Sequence, residues 1–227
     1  MSRPPAESAE QAVVFVIDDD RSVRVALSDL LESVGLNAQS FESPQQFMQA
    51  DRPDVPACIV LDVKMPGMNG LQFQRELERQ NIRLPIIFIT GHGDIPMSVQ
   101  AMKAGAIEFL TKPFSDKDLL DAIKAGLDKD RARHKDAAVV AAIRKRYETL
   151  TPREQQVMAL VAGGNLNKQI AADLGVSLIT VKVHRGHVMG KMDAKSLVEL
   201  VWMAERLGVI SPQQNATAAR PASYTPV

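Results

Sequence analysis

Residues 57–70, ACIVLDVKMPGMNG, begin as a short apolar run and end in a carboxylate, a lysine and a loop that contains Pro and Gly. Apolar runs of about four to eight residues bounded by turn residues are typical of strands buried on both faces of a parallel sheet. Similar runs at 12–17, 85–89 and 106–110, and a weaker one at 36–41, alternate with segments of helical periodicity. Such alternation indicates βαβ units. The pattern predicts an α/β fold with a doubly wound, flavodoxin-like, five-stranded parallel sheet of order 2-1-3-4-5.

The two halves of the chain carry opposite charge. Lys and Arg number 27, as do Asp and Glu, but residues 1–127 hold 12 basic and 18 acidic side chains, and residues 128–227 hold 15 and 9. Net charges of −6 and +6 favour two domains, one suited to cations and one to a polyanion. We expect disordered tails at 1–11 and 211–227, an α/β domain at 12–127, a helical linker at 128–146 and an all-α domain at 147–210. Apolar positions 139, 140 and 143 of the linker can pair two such helices or pack on either domain.

The composition argues against a membrane or secreted protein. No run of about 18 apolar residues is present, and the N-terminal stretch MSRPPAESAEQ is too polar for a secretory signal. The single cysteine, Cys58, cannot form an internal disulfide, and its apolar surroundings predict a small buried hydrophobe. Neither a Cys/His spacing typical of a metal site nor a glycine-rich phosphate loop is found. We expect a cytoplasmic protein without a membrane partner.

Polar side chains follow four of the predicted strands. The carboxyl ends of parallel strands lie at one edge of a sheet, and strands 1 and 3 are neighbours at the point where ligands bind. Crowded carboxylates repel one another, and Mg²⁺ relieves that repulsion because it binds carboxylate and phosphate oxygens. A carboxylate beside such a cation can attack a phosphoryl group whose charge is neutralised. The residues are Asp18, Asp19 and Asp20 after strand 1, Asp62 after strand 3, Thr90 after strand 4 and Lys112 after strand 5.

Each of these residues, taken alone, has a simpler role open to it. Asp20 precedes a helical segment and can be its N-cap. Asp62 can cap a turn, while Thr90 and Lys112 can be an ordinary loop hydroxyl and a solvated charge. Their joint placement at successive strand ends favours the functional interpretation.

Four motifs resemble the receiver domain of two-component response regulators, especially its FixJ-like branch. They are FVIDDD (15–20), VLDVKMPGMNG (60–70), FITGHGD (88–94) and EFLTKPF (108–114). The resemblance implies that a sensor histidine kinase phosphorylates Asp62 and that the Lys112–Pro113 peptide is cis. The further roles it implies are Mg²⁺ binding by Asp18, Asp19, Asp62 and the backbone carbonyl of Lys64, phosphoryl contacts by Thr90 and Lys112, and an aromatic switch at Phe109.

An enzyme is the chemical alternative for the acidic half. In phosphatases with an aspartate nucleophile, a second acidic residue typically follows two positions after the nucleophile. This chain instead has Lys64 two positions after Asp62. We therefore expect a protein that takes up a phosphoryl group and dephosphorylates itself, without turning over an outside substrate.

The basic half predicts three successive short helices. In LTPREQQVMALVAGG (150–164), Thr151 and Glu154 form a capping box and two glycines end the helix. NKQIAADLGVS (167–177) gives a second helix and SLITVKVHRGHVMGKM (177–192) a third. Helix, tight turn and helix in a basic segment indicate helix-turn-helix DNA binding, although a bundle that only packs is the alternative. The third helix places Val181, His184, Val188 and Met192 on one face and Lys182, Val183, Arg185 and Gly186 on the others.

LTPREQQV, NKQIAADLGVS and TVKVHR resemble the LuxR/NarL-type helix-turn-helix. The resemblance implies that Lys182, Val183 and Arg185 contact double-stranded DNA and that Lys168 reaches a phosphate. Gly186 departs from relatives that place a base-contacting cation there. We expect His184 to be packed or to face phosphate and not to bind a metal, and we expect His187 to be exposed.

The last helical segment, SLVELVWMAERLG (196–208), starts with a predicted capping box of Ser196 and Glu199. Its predicted core stripe is Leu197, Leu200, Val201 and Ala204. Val198 and Trp202 fall on an adjacent face and predict a subunit contact, with a place in the monomer core as the alternative for Trp202.

Together these features predict a transcriptional response regulator. Phosphorylation of Asp62 would turn Phe109 inward and reshape the surface near residues 95–110, so that two chains pair on a two-fold DNA site. A sensor histidine kinase, double-stranded DNA, a second copy of the chain and RNA polymerase are the candidate partners. The rival hypothesis keeps the phosphorylated domain but has the basic domain dock a protein partner instead of DNA.

Overall fold

The computed structural model describes residues 12–91 and 95–210, so the tails predicted at 1–11 and 211–227 lie outside the described residues. The chain divides into two compact units, Met1–Lys135 and Asp136–Val227. Their boundary lies within one helix of 33 residues. No helix in the described parts combines the length and apolarity needed to cross a membrane.

The first unit is a parallel sheet flanked by helices. Its strands have the order β2-β1-β3-β4-β5, and all four pairings are parallel, which confirms the predicted fold and strand order. The elements are β1 (Val13–Ile17), α1 (Arg21–Ser33), β2 (Asn37–Phe41), α2 (Pro44–Gln49), β3 (Ala57–Asp62), α3 (Gly70–Arg79), β4 (Ile86–Thr90), α4 (Ile95–Lys103), β5 (Glu108–Thr111) and α5 (Asp116–Glu148).

The sheet has a core on each face because successive side chains of a strand point to opposite sides. Phe15 and Ile59 pack in one core, and Val14 and Val60 pack in the other. Every residue of β1, β3 and β4 is buried. Cys58 lies in the second core, where burial and then the charge of Asp130 raise the pKa of its thiol to about 12. The prediction that Cys58 is a small buried side chain is confirmed.

The second unit is all-helical. After the end of α5 it contains α6 (Pro152–Ala162), α7 (Asn167–Leu174), α8 (Leu178–Met192) and α9 (Leu197–Arg206). The capping box of Thr151 and Glu154 is present, and Gly175 ends α7 in the left-handed conformation. Ile143, one of the apolar linker positions, is buried in the core of this unit, whereas Val139 is exposed.

Of two expectations about α9, the capping box is wrong, and the core stripe is confirmed for Leu200 and Ala204 but wrong for Leu197. Glu199 donates its backbone N–H to Ser196 Oγ, but its carboxylate accepts from the N–H of Lys195 and not from that of Ser196, so the capping box is incomplete. Leu197 is 42% exposed, whereas Met203 is buried together with Leu200. The buried side of the helix is rotated towards Met203, which leaves Leu197 at the edge of the apolar stripe.

Candidate phosphoacceptor site and nucleic-acid interface

The sheet edge brings together three charged side chains that are far apart in sequence. Asp18 directly follows β1, Asp62 is the last residue of β3, and both carboxylates are buried. Lys112 lies just beyond β5, and its Nζ is 3.0 Å from Asp18 Oδ2 and 3.4 Å from Asp62 Oδ1. One ammonium group is thus shared by two carboxylates.

The three aspartates after β1 have different surroundings. Asp20 is the N-cap of α1 and accepts from the N–H of Ser22 at 2.8 Å, so its simpler role is confirmed. Asp18 Oδ1 accepts from the N–H of Asp20, and the Asp19 side chain is exposed. Arg24 Nη1 donates to the backbone carbonyls of Asp18 (2.7 Å) and Asp19 (3.0 Å). Sequence reasoning missed this arginine, which holds the loop in place.

The site carries more negative than positive charge. Burial raises the pKa of Asp62 and Asp18 adds to the rise, while Lys112 and the N–H of Lys64, 3.0 Å from Asp62 Oδ2, oppose it. Burial also disfavours the charged form of Lys112, but its hydrogen bond to Asp18 and the two carboxylate charges outweigh burial and raise its pKa. A buried carboxylate that is incompletely compensated suits a hard cation with oxygen ligands.

The MPGMNG loop allows α3 to begin close to the end of β3. Gly67 has a φ of +82°, a conformation that favours glycine. A Cβ on Gly70 would lie 2.7 Å from the carbonyl oxygen of Asp62 and 3.0 Å from the ring of Phe88. The side chain of Asn69 caps α3 in a complete capping box. The two glycines are therefore what lets the loop turn back against the residue that carries Asp62.

The remaining residues predicted for this site lie on β4 and β5 or just beyond them. Thr90 is fully buried at the end of β4 and is aligned with Thr111 of β5. Phe109 is half-buried, with its ring centroid 6.1 Å from that of Phe88. The Lys112–Pro113 peptide is cis, as the resemblance implies. Residues 92–94, at the end of the FITGHGD motif, lie outside the described residues.

Helix α8 of the second unit has a buried face and a basic exposed face. Val181, Val188 and Met192 are buried, as predicted. Its outward positions, together with one on α7, are exposed or partly exposed: Lys168, Lys182, Val183, Arg185 and Gly186.

Two features of this surface were not anticipated from sequence. Arg185 Nη1 donates to Asn167 Oδ1 at 3.1 Å, which fixes the arginine against the start of α7. Ile179, in the first turn of α8, is 75% exposed. The sequence shows only an apolar residue at this position, and residue spacing alone does not tell whether its side chain is exposed or part of the core.

Val198 and Trp202 are exposed on α9, by 78% and 41%. The guanidinium of Arg206 lies 5.5 Å from the centre of the Trp202 ring and covers part of it. Trp202 is therefore not a core residue of this unit, and the alternative that placed it there is wrong.

Comparisons with known proteins identify a family for each unit. Residues 14–124 match the response regulator receiver domain, and residues 148–204 match the luxR family of bacterial regulatory proteins. Nodulation protein W of Bradyrhizobium diazoefficiens is 54% identical over 203 residues, which are 89% of each chain. Transcriptional regulatory protein FixJ of Azorhizobium caulinodans is 44% identical over 208 residues, 92% of this chain and 98% of that one.

A solved structure gives the same result. The structure of the response regulator StyR has a TM-score of 0.74 and 46% identity, and the match covers 86% of this chain and 99% of that one. These similarities extend over both units. The chain belongs to the family of two-component transcriptional response regulators that join a receiver domain to a LuxR-type helix-turn-helix DNA-binding domain.

Proposed function

We propose that Asp62 accepts a phosphoryl group from a sensor histidine kinase and that this modification promotes binding of α8 to double-stranded DNA. The observation that carries the proposal is the Asp62 carboxylate, buried at the end of β3 and only 3.4 Å from the ammonium group of Lys112. A nucleophile and a cation for the developing phosphoryl charge thus lie side by side.

The chain's own groups divide the work of transfer. A carboxylate oxygen of Asp62 attacks phosphorus as the bond between phosphorus and the histidine nitrogen of the kinase breaks. Lys112 then pairs with a phosphoryl oxygen. The hydroxyl of Thr90 donates to a second phosphoryl oxygen. Mg²⁺ supplies further charge neutralisation, and its ligands would be the carboxylates of Asp18, Asp19 and Asp62 and the carbonyl of Lys64. The three carboxylates at this edge of the sheet suit that cation.

The acyl phosphate is a transient signal. Water attacks its phosphorus, the bond to Asp62 breaks, and inorganic phosphate is released with the carboxylate restored. The chain therefore resets its own state and turns over no outside substrate. The cytoplasm, where a DNA-binding regulator meets its target, is the proposed location.

Helix α8 is the proposed recognition helix. Lys182, Val183 and Arg185 would face base edges in the major groove, and Lys168 would contact a phosphate. Ile179 is an additional candidate, because an exposed apolar side chain near the start of such a helix can contact a thymine methyl group. Gly186 offers no side chain, so the backbone can approach DNA there.

Phosphorylation would act through pairing of chains. Phe109 would turn inward as Thr90 moves towards the phosphoryl group, which reshapes the surface of residues 95–110. Ile95, Val99 and Met102 of α4 are exposed apolar side chains that can form a contact between two copies. On DNA, Val198 and Trp202 of α9 would form a second contact between the two copies.

RNA polymerase is a further candidate partner at the promoter.

Labelling of the full chain tests the proposal. With acetyl phosphate and Mg²⁺, wild type should gain one phosphoryl group by intact mass, and Asp62→Asn should gain none. Asp20→Asn is the matched control, because it removes a carboxylate from the same edge of the sheet while Asn still caps α1. Equal labelling of Asp62→Asn and wild type would refute the assignment.

A further inference from the structure

The second unit contains a cluster of three side chains that neither DNA contacts nor phosphorylation use. Glu154 on α6 and His184 and His187 on α8 each offer a ligand atom, and these atoms all lie within 4.8 Å of one another. The two histidines are three residues apart, so their side chains leave the same side of α8. Glu154 faces them from the neighbouring helix.

His184 has an unused ring nitrogen. Its Nδ1 is buried and has no hydrogen-bond partner among the described residues. Buried polar atoms without a partner are rare in folded proteins and call for an explanation. A neutral imidazole has one ring nitrogen with a free lone pair, which can bind a cation.

The two carboxylate oxygens of Glu154 contact different partners. Oε2 accepts from Lys191 Nζ at 2.6 Å and from the N–H of Thr151 at 2.8 Å. Oε1 instead faces His187 Nδ1 at 3.4 Å. Lys191 and Thr151 therefore engage Oε2 and leave Oε1 on the side of the histidines.

We propose that Glu154, His184 and His187 form a binding site for Zn²⁺. Two imidazole nitrogens and one carboxylate oxygen are a ligand set that zinc accepts, with a fourth position open to water. This set differs from the all-oxygen set that Mg²⁺ prefers at the sheet edge. The His187 side chain is 59% exposed, which gives an ion access from solvent.

Binding requires a small contraction of the cluster. Zinc bonds of about 2.0–2.1 Å in a tetrahedral site place ligand atoms roughly 3.3 Å apart. Glu154 Oε1 and His187 Nδ1 are already 3.4 Å apart, and the exposed ring of His187 is free to turn. The charge of Lys191 beside Oε2 weakens attraction for a second cation, so the site should bind less tightly than a zinc site that folds a domain.

Calorimetric titration of the full chain with zinc chloride tests the site. Excess Mg²⁺ competes with zinc for the acidic edge, and the His187 variant separates the cluster from that edge. Neither DNA nor a phosphodonor is present, so the outcome does not depend on phosphorylation or DNA binding. Wild type should bind one Zn²⁺, and His187→Ala should weaken binding by about tenfold or more because a ligand is lost. Binding should also weaken in acid, since protonated imidazole cannot bind a metal.

His134→Ala is the matched control. His134 also lies close to two carboxylates, Asp54 and Asp130, but it belongs to the first unit. The His134→Ala variant should bind zinc as wild type does. Absence of binding in wild type, equal binding by His187→Ala, or loss of binding in His134→Ala would each overturn the proposal. Because His187 is exposed, its removal should leave the fold intact, which a circular dichroism spectrum would verify.

Discussion

Two carboxylate–lysine pairs, one in each unit, differ in how fully the carboxylate is compensated. Asp62 and Lys112 are 3.4 Å apart, and Glu154 and Lys191 are 2.6 Å apart. Burial raises the pKa of Asp62 despite its lysine, whereas the Lys191 hydrogen bond, supported by the N–H of Thr151, lowers that of Glu154 to about 2. The number and quality of hydrogen bonds, and not burial alone, decide the direction of the shift.

The difference follows from how many carboxylates share each lysine. Lys112 serves both Asp18 and Asp62, so neither carboxylate is fully compensated. Lys191 serves one carboxylate, Glu154, whose same oxygen also completes the capping box of α6. In the proposed function the first pair takes part in phosphoryl transfer, whereas the second pair joins α8 to the start of α6.

The largest effect is expected from removal of Lys112. In Lys112→Ala, labelling of Asp62 should slow by about 10²- to 10³-fold, because a positioned cation is lost from the developing phosphoryl charge. The rate of phosphoryl incorporation from acetyl phosphate is the measurement. Lys117→Ala, which removes an exposed cation on α5, should label as wild type does. Labelling of Lys112→Ala at the wild-type rate would contradict the role of Lys112 in phosphoryl transfer.

Removal of the second lysine should affect stability instead. Lys191→Met leaves the buried Glu154 carboxylate without its ammonium partner, and Lys191 is 38% exposed, so we expect a loss of about 2 kcal/mol and not the larger value of a fully buried pair. Urea unfolding followed by fluorescence of Trp202, the only tryptophan, reports on this unit. Lys195→Met, at an exposed position, should leave the midpoint unchanged. An equal midpoint for both variants would argue against a structural role for the pair.

Lowering the pH should have opposite effects on the stability that the two carboxylates, Glu154 and Asp62, contribute. Glu154, with a pKa of about 2 against an ordinary 4.5, gives stability that is fully present above about pH 4.5 and is lost as the pH falls towards 2. Asp62, whose pKa is raised from 3.8, gives stability that is present below that value and is lost as the pH rises through its folded pKa. Stability of the second unit, followed by Trp202 fluorescence, should therefore fall below pH 4.5, and Glu154→Gln should reduce that dependence. If the stability of the second unit did not change with pH in this range, the lowered pKa of Glu154 would be contradicted.

The smallest effect concerns Gly186 in α8. Apart from neighbouring residues and the backbone of α8 itself, nothing lies within 4 Å of where a Cβ on Gly186 would be. Gly186→Ala should therefore stabilise the second unit by about 0.5–1 kcal/mol through helix propensity. A mobility-shift titration then separates two roles for the glycine. Weaker DNA binding by this more stable variant would indicate close backbone approach to DNA, whereas unchanged binding would indicate a missing contact.

The fold was predictable because β1, β3 and β4 are continuous apolar runs and the five strands alternate with helices. Asp18, Asp62 and Lys112 were predictable as neighbours because each lies at or just beyond the end of a parallel strand, and such strand ends meet at one edge. Arg24 was not, because its contacts are to backbone carbonyls, which leave no trace in the pattern of residue types.

The second unit shows a different limit. The spacing in α8 identified Val181, Val188 and Met192 as core residues, but it could not show that Glu154 of α6 faces His184 and His187. The side chains of α9 were partly misassigned because Leu197 and Met203 are both apolar and only packing decides which is buried. Contacts between helices depend on how the helices pack, which residue spacing within one helix does not determine.

The DNA affinity of the full chain with and without phosphorylation tests the central claim most directly. A mobility-shift titration with acetyl phosphate and Mg²⁺ should show tighter binding of wild type by about tenfold or more, equivalent to about 1.4 kcal/mol. Asp62→Asn should not respond, and sedimentation should show wild type changing from monomer to dimer. Tighter binding at constant mass would contradict pairing while preserving control by Asp62. Unchanged affinity of wild type that is fully labelled on Asp62 would contradict the account.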